Sequence, residues 1–474
     1  MTQIIEISTQ YQLANISALV RAGRLGEPKE RRILVVANNS FAPELTPAAD
    51  AMPGSAGLLA DFDAVVDWNA TIWPNHPKAF GISGERAPIM ERALRREWDI
   101  DDDEQLELIV ESLPSHPAGA LTHIFATADI SVHSDGLMSY GPIRNPLTLP
   151  QWQRLKSIYY TDLLPGITPR QLAEHAPNRV VLPTDELAGV IDEMAAEVVD
   201  ELASAHLDAP IEGSALVLGQ YLAQLDLITA EEELDLHLQM LDVVKAAGLT
   251  TVIFKPHPTS ARTTTGPLRR RSEELGLDFV LADVPLLAEI VVSATRPELV
   301  VSCFSTGLAT ARGLFGCETA AVGTTKLLDA LAPYQNSNRI PLTIIDALHS
   351  RRYSLPGTLA EAGPSSHGAA RSGAANDLNP LIDAVTYCMQ SDSASYLRQN
   401  AIDFLAGAVG GPDMKYFKRK RLTKLDLPGQ QEIPLHRKTL SAAKQRLVSK
   451  AKRTQHVLKD YGITVDPSKL RKNG

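Results

Sequence analysis

Three short stretches carry side chains suited to moving a group onto a hydroxyl. The first is Thr251–Ser260, TVIFKPHPTS, in which His257 stands between two prolines. Each proline lacks a backbone N–H and drives its predecessor out of helical geometry. A run of β-formers therefore stops abruptly there, and the imidazole is held on a stiff corner. At the mouth of a cleft an imidazole can donate to a phosphate or carboxylate, or pass a proton to a leaving oxygen near neutral pH. The plainer reading is a surface histidine closing a strand, and His76-Pro77 and His116-Pro117 occur as well.

The second stretch is Ser302–Gly313, SCFSTGLATARG. ELVVSCF supplies a strand, and Ser305 and Thr306 fall where a helix begins. Their hydroxyls and the first unpaired backbone N–H groups then face outward together, an arrangement that binds phosphate without a metal. Gly307, Ala309, Ala311 and Gly313 keep that helix slim. Ordinary N-capping accounts for the same two hydroxyls. The third stretch is Ser134-Asp135-Gly136 in HSDGLMSYGP. Its glycine allows a tight turn or a positive φ, and Asp135 projects from a strand end, where a carboxylate can accept a proton from an attacking sugar hydroxyl. An isolated Asp-Gly pair is more often a plain turn.

Other candidates are read as structural. His237, within EEELDLHLQ, is expected on a solvated helix face, and the block Asp101–Glu104 as a solvated turn. Neither GxGxxG nor GxxxxGKS/T occurs, which argues against the standard dinucleotide and P-loop sites.

The elements that must position these residues alternate along the chain. A helix is expected over about 8–23 with Ser8 as its N-cap, then RRILVVAN (31–38) as the first strand, ending in Asn38-Asn39-Ser40. DAVVDW, LELIVESL, ADISVHS and RVVLP (179–183) read as further strands, with a helix at 86–97. The stretch around Trp152, Tyr159 and Tyr160 reads as loop and short helices. A helix over about 185–206 leads to a boundary at 207–213. Beyond it ALVLGQ, TVIFK, FVLAD, ELVVSCF and ETAAVG alternate with helices, which predicts a doubly wound parallel sheet. Such sheets bind ligands beyond the carboxyl ends of their strands, so His257 and Ser305-Thr306 are expected on one rim. Residues 356–378 are Gly, Ser and Ala rich and read as a flexible surface insertion, followed by two helices near 379–391 and 393–407.

A chain of 474 residues is expected to hold two or three domains. Its net charge of −10 gives no overall case for nucleic acid binding. No secretory signal and no membrane-spanning window is read. Cys303, Cys317 and Cys388 have spacings that suit neither a disulfide framework nor a zinc site, so reduced cysteines in the cytosol are expected. The last sixty or so residues are locally basic, with KYFKRKR, HRK, KQR, KAKR and KLRK. Between Thr439 and Tyr461, Leu440, Leu447, Val448 and Leu458 share a helical face. That pattern suits a tether on an anionic membrane or a solubilising tail.

The order of strand with Asp-Gly, strand with KPHP, and strand with Ser-Thr and helix resembles the bacterial sialyltransferases. The resemblance is to the α-2,8-polysialyltransferase family, with lipooligosaccharide sialyltransferases as near kin. Those families share a (D/E)(D/E)G motif, an HP motif and a paired Ser/Thr motif on a GT-B scaffold. The resemblance implies Asp135 as the general base, His257 contacting or protonating the phosphate of CMP, and Ser305 and Thr306 binding that phosphate. Lys255, Gly307 and Gln220 are added as donor-site candidates by their places beside these motifs, with Asn38, Asn39, Gly136 and Ser302 as further candidates. Ser134 stands where the family has its first acidic residue. The implied fold is α/β of GT-B type, with two Rossmann-like domains facing a central cleft. An acceptor-side domain over 1–207 and a donor-binding domain over 208–412 precede a basic helical tail over 413–474. The implied reaction is inverting transfer of sialic acid, or a related nonulosonic acid, from a CMP-sugar donor to a glycan or glycolipid acceptor. No metal, other cofactor or nucleic acid partner is implied, and the setting is the cytoplasm with peripheral contact at the inner face of the membrane. A CDP-glycerol glycerophosphotransferase and an inactive GT-B scaffold that binds nucleotide or glycan are the competing readings.

Overall fold

The computed structural model describes residues 1–26, 30–113, 115–257, 264–350, 352–355 and 376–431. Its first strand, β1 (Thr2–Ile7), has the sequence TQIIEI, and all six of its residues are buried. The sequence reading placed the first strand at residue 31. Gln3 and Glu6 break the apolar run that marks a strand covered on both faces. The helix after β1 is Gln10–Arg21, and its cap is Thr9 rather than Ser8. The Thr9 hydroxyl accepts the Gln12 N–H at 3.2 Å.

β2 (Arg31–Val36), β3 (Ala64–Asp67), β4 (Leu106–Val110), β5 (Asp129–Ser134), β6 (Leu155–Thr161) and β7 (Asn178–Leu182) complete the first sheet. The order is β3-β2-β1-β4-β5-β6-β7, with every pairing parallel. β6 occupies the stretch read as loop and short helices: only Leu149–Arg154 is helical, and Tyr159 and Tyr160 are strand residues paired with β5. Its alternation is blurred because Lys156 and Ser157 interrupt the apolar positions. One face of the sheet packs through Ile4, Ile33, Val35, Trp68, Leu108, Phe125 and Val132. The helix expected over 185–206 is two helices, Thr184–Glu197 and Val199–Ser204, broken at Val198.

The second sheet is β8 (Ser214–Leu218), β9 (Thr251–Lys255), β10 (Asp278–Leu281), β11 (Leu299–Ser302) and β12 (Glu318–Ala321). It runs β10-β9-β8-β11-β12, again all parallel. Among the described residues the chain thus carries two Rossmann-like sheets, one from strands between residues 2 and 182 and one between 214 and 321. In each, strand order reverses at one place, β1/β4 and β8/β11, which is where open parallel sheets bind ligands.

Met1–Lys418 forms one compact unit, and a second begins at Arg419 with the helix Arg419–Leu425. Residues 258–263, most of the Gly- and Ser-rich insertion (356–375) and the basic tail from 432 lie outside the described residues. Among the described residues no helix is long and apolar enough to cross a membrane.

β1 lies between β2 and β4, so its core side chains have no solvent to relax into. Truncating Ile5, which is 0 % exposed, to alanine is expected to cost about 2–5 kcal/mol. Urea denaturation of the Ile5→Ala protein measures this directly.

Candidate active site

The loops after β9, β8 and β11 are neighbours because β8 pairs with both other strands. Gly219 N–H donates to Lys255 O at 2.8 Å. A Cβ on Gly219 would stand 3.0 Å from both His257 N and Pro256 Cα, so a bare backbone is what lets these loops close together. His257 stacks on Tyr221 with ring centroids 4.0 Å apart and planes 26° from parallel. Burial pushes its pKa down to about 4, with Glu233 pulling it up and Lys255 pushing it further down. The imidazole is therefore neutral at neutral pH and offers a single N–H. Lys255 is buried as well, its Nζ donating to Val284 O at 3.1 Å. Burial lowers its pKa to about 8 against the pull of Glu289 and Asp283.

Gln220 spans the β8/β11 reversal. Its backbone N–H donates to His237 Nε2 at 3.0 Å, and its side-chain amide donates to Ser302 Oγ at 2.9 Å. One turn away on the helix Ala230–Ala246, the Glu233 carboxylate accepts the N–H groups of Leu222 at 3.0 Å and Ala223 at 2.9 Å. His237 is thus not on a solvated face: it is 2 % exposed and holds the loop that carries Gln220 and Tyr221. Burial lowers its pKa, which keeps Nε2 an acceptor. The signal was present as a buried stripe of Glu233, Leu236, His237, Met240, Leu241 and Val244. The glutamates and aspartates interleaved with it gave the helix a solvated look.

Ser305 caps the helix Thr306–Phe315, its Oγ accepting the Gly307 N–H at 3.1 Å. Capping uses an acceptor lone pair and leaves the hydroxyl proton unspent. Asn38 is committed to its own loop: its amide donates to Pro43 O at 3.2 Å and Thr46 O at 2.8 Å, and its Oδ1 takes the Ser40 N–H at 3.2 Å. Asn39 belongs to the same loop after β2, three places from β5 in the sheet order. The structure does not join this pair to the other candidates.

On the first sheet β5 ends at Ser134, and Asp135-Gly136 leads into a short 3-10 turn. Gly136 has φ −148° and ψ −174°, extended backbone, so of a tight turn and a positive φ it is the turn that occurs, the Ser139 N–H donating to Gly136 O at 3.0 Å. The reason for glycine is proximity: a Cβ there would stand 3.2 Å from Thr306 Oγ1 and 3.5 Å from its Cγ2. The Asp-Gly and Ser-Thr motifs, from opposite halves of the chain, touch at this point.

Around Asp135 the groups are mostly acidic. Burial and then Glu111 raise its pKa to about 7 and Glu289 adds to the rise, while a backbone hydrogen bond and one from Gln12 oppose it. Glu6 lies behind, 0 % exposed, its carboxylate accepting the Glu111 N–H at 3.1 Å. Burial and then Glu111 push Glu6 up to about 8. From the second half comes Glu289, buried near the start of the helix Ala288–Thr295 and bonded by Thr310 Oγ1 at 2.7 Å. Burial raises its pKa, and Thr310 and Lys255 pull it down. Tyr11 feels both sides: burial, Glu289 and Asp135 all raise its hydroxyl pKa. Gln12, Tyr11, Glu111, Glu289, Tyr221 and Glu233 were not singled out from sequence, because each matters only through long-range neighbours. Among the described residues no His, Cys, Asp and Glu cluster of three could hold a metal ion, and all three cysteines are buried and outside any disulfide.

A family model, alpha-2,8-polysialyltransferase (POLYST), matches residues 3–324, from β1 through β12. The chain belongs to the alpha-2,8-polysialyltransferase family. It is accordingly a glycosyltransferase, and its two Rossmann-like sheets are those of the GT-B type. No curated protein matches it in sequence. Among solved structures it is similar to the GT-B domain of a sialyltransferase from Photobacterium damselae, at 14% identity and TM-score 0.38, covering 73% of this chain and 96% of that one. It is also similar to UDP-GlcNAc 2-epimerase from Methanocaldococcus jannaschii, at 12% identity and TM-score 0.38, covering 70% and 91%. MurG from Acinetobacter baumannii is similar at 8% identity and TM-score 0.31, covering 65% and 73%.

Two outcomes test this geometry without reference to catalysis. Gly136→Ala crowds the Thr306 side chain, which must give by a few tenths of an ångström, and is expected to cost about 1 kcal/mol. Most of that loss is regained with Thr306→Ala in the same chain, a coupling that a double-mutant cycle in urea reads. For Glu6, both states hold the proton well below its ordinary value of 4.5; between there and about 8 only the folded state holds it. Stability therefore falls with rising pH across that window, by roughly 1 kcal/mol per unit. Glu6→Gln flattens this slope, as seen by comparing denaturation at pH 5 and pH 8.

Proposed function

We propose that this enzyme transfers sialic acid, or a related nonulosonic acid, from a CMP-activated donor to a hydroxyl of a glycan acceptor, with inversion and without a metal. The observation that carries the reading is the meeting of Asp135-Gly136 with Thr306, which puts a proton acceptor beside a helix N-terminus. Asp135, held near pKa 7, is matched to taking a proton at neutral pH. As the glycosidic bond to the donor phosphate breaks, negative charge grows on that phosphate. The N–H groups of the Thr306–Phe315 helix, the Ser305 and Thr306 hydroxyls and the His257 N–H answer that charge with fixed dipoles. Lys255 and Gln220 support the same side, the second through its bond to Ser302.

Because Gly136 and Thr306 are in contact, admission of a nucleotide sugar requires the two segments to part, and reclosure then excludes water from the donor. A glycan acceptor held on the first-sheet side completes the scheme, in a cytoplasmic enzyme.

The test is turnover of CMP-sialic acid with a sialylated oligosaccharide acceptor in the presence of a chelator, followed by CMP release and product mass. Turnover is expected, rising with pH through about 7 as Asp135 ionises. Asp135→Asn is expected to lower kcat by roughly 100-fold or more while still binding CMP. Turnover of CDP-glycerol alone would move the assignment to a glycerophosphotransferase. Asp135→Asn and His257→Ala both leaving turnover intact would remove the site from this place.

A further inference from the structure

The turn that carries Asp135 and Gly136 is held by the loop between β6 and β7. Ser139, within Leu137–Tyr140, donates to Gly136 O both from its N–H at 3.0 Å and from its Oγ at 2.8 Å. Ser139 O in turn accepts the N–H groups of Arg170 at 3.1 Å and Gln171 at 3.0 Å. The Tyr140 hydroxyl accepts the Leu164 N–H at 3.1 Å, so the same loop grips the turn again. The side chain of Arg170 then reaches into the second half of the chain. Its Nε donates to Asp383 Oδ1 at 2.7 Å and its Nη2 to Asn379 Oδ1 at 3.0 Å, both on the helix Asn379–Met389. Its Nη1 donates to Thr168 O. Asn379 Nδ2 returns a bond to Gly166 O at 3.3 Å, and Asn400 Nδ2 holds the other Asp383 oxygen at 2.8 Å. Arg170 and Asp383 are only 9 % and 8 % exposed, so little water competes for the pair.

We propose that Arg170, paired with Asp383, is a positioning residue that sets how the Asp135-Gly136 turn meets the Ser305-Thr306 helix, and so whether the glycosyl group goes to the acceptor hydroxyl or to water. The proposal rests on the reading of Asp135 as the base. Every link from Asp383 to Gly136 is a hydrogen bond, and Gly136 is where the turn meets Thr306. The far end of the turn abuts the second half as well, since a Cβ on Gly141 would stand 2.8 Å from Ile340 Cγ1. A buried ion pair seldom adds stability over apolar residues of the same volume, and fixing register is its best-attested use. The guanidinium suits that use: Nε, Nη1 and Nη2 each have their own partner, which fixes both the place and the plane of the group. CMP leaves in transfer and in hydrolysis alike. The oxygen that bonds to the sugar carbon and gives up its proton is the acceptor's in the first and water's in the second. Transfer needs the acceptor hydroxyl aligned between Asp135 and that carbon, whereas water needs only access, so a displaced turn costs transfer more than hydrolysis.

The experiment uses the full chain as wild type, Asp383→Asn, the double variant Arg170→Met with Asp383→Leu, and Asp135→Asn. Each is given CMP-sialic acid and a sialylated oligosaccharide, and free sialic acid and elongated product are measured in the same reaction. Asp383→Asn keeps the shape of the partner and removes its charge. The double variant leaves no buried charge unpaired and keeps the test open should Asp383→Asn fold poorly. In both, transfer is expected to fall by roughly 10- to 100-fold and hydrolysis by less, so that the ratio of hydrolysis to transfer rises by about tenfold. CMP affinity, read by calorimetry, is expected to stay that of the wild type. Loss of folded protein alone lowers both products together, so an unchanged ratio overturns the proposal, and so does loss of CMP affinity. Failure of the underlying reading shows separately, as Asp135→Asn retaining full transfer.

Discussion

Carboxylates withdrawn from water without a neighbouring cation are the constraint on which the first half of this molecule turns. Glu6, Glu111 and Asp135 sit at the ends of β1, β4 and β5, three adjacent strands, with Glu6 fully buried and the other two half-buried. An ionised carboxylate there loses hydration that no buried lysine or arginine replaces. The chain answers with hydrogen bonds: Ser8 and a backbone N–H supply donors, and Glu6 keeps its proton. What results is a carboxylate at the cleft that neither releases its proton readily nor holds it firmly. That condition suits proton acceptance at neutral pH, and it follows from burial before any substrate is considered.

The second half solves a different problem with the same topology. At its strand reversal, Gln220 bonds Ser302, just as Ser8 and Glu111 bond across the reversal in the first sheet. Here the cost falls on cations, with Lys255 and His257 both held below their ordinary values by burial. Glu233 and His237 pin the loop that carries Tyr221, and Tyr221 in turn fixes the plane of His257. One half thus gathers carboxyl groups and the other oriented N–H groups, the two meeting where Gly136 touches Thr306.

The parts of this design that sequence could reveal are those with local causes. Prolines around His257 stop β9, Ser305 caps a helix after a run of β-formers, and Asp-Gly ends β5, and all three stand where the local pattern puts them. The parts it hid depend on neighbours far along the chain. β1 was missed because Glu6 interrupts its apolar pattern, and Glu6 is tolerated only because β4 brings it the Glu111 N–H. β6 was missed because its polar residues match no single face. Gly136 was read for the tight turn or positive φ that a glycine allows, yet its backbone is extended and its use is its missing side chain. His237 was placed on a wet surface by its acidic sequence neighbours, although the Gln220 N–H needs it inside.

The contact between Gly136 and Thr306 reaches beyond its own two residues. It joins two segments that fold in separate sheets, and at this point the space between them has no room for a Cβ without crowding Thr306. The two positions are therefore coupled sterically. A larger residue at 136 presses on the Thr306 side chain, and a smaller residue at 306 relieves that pressure. Residues 136 and 306 thus gauge how closely the Asp-Gly turn and the Ser-Thr helix approach one another.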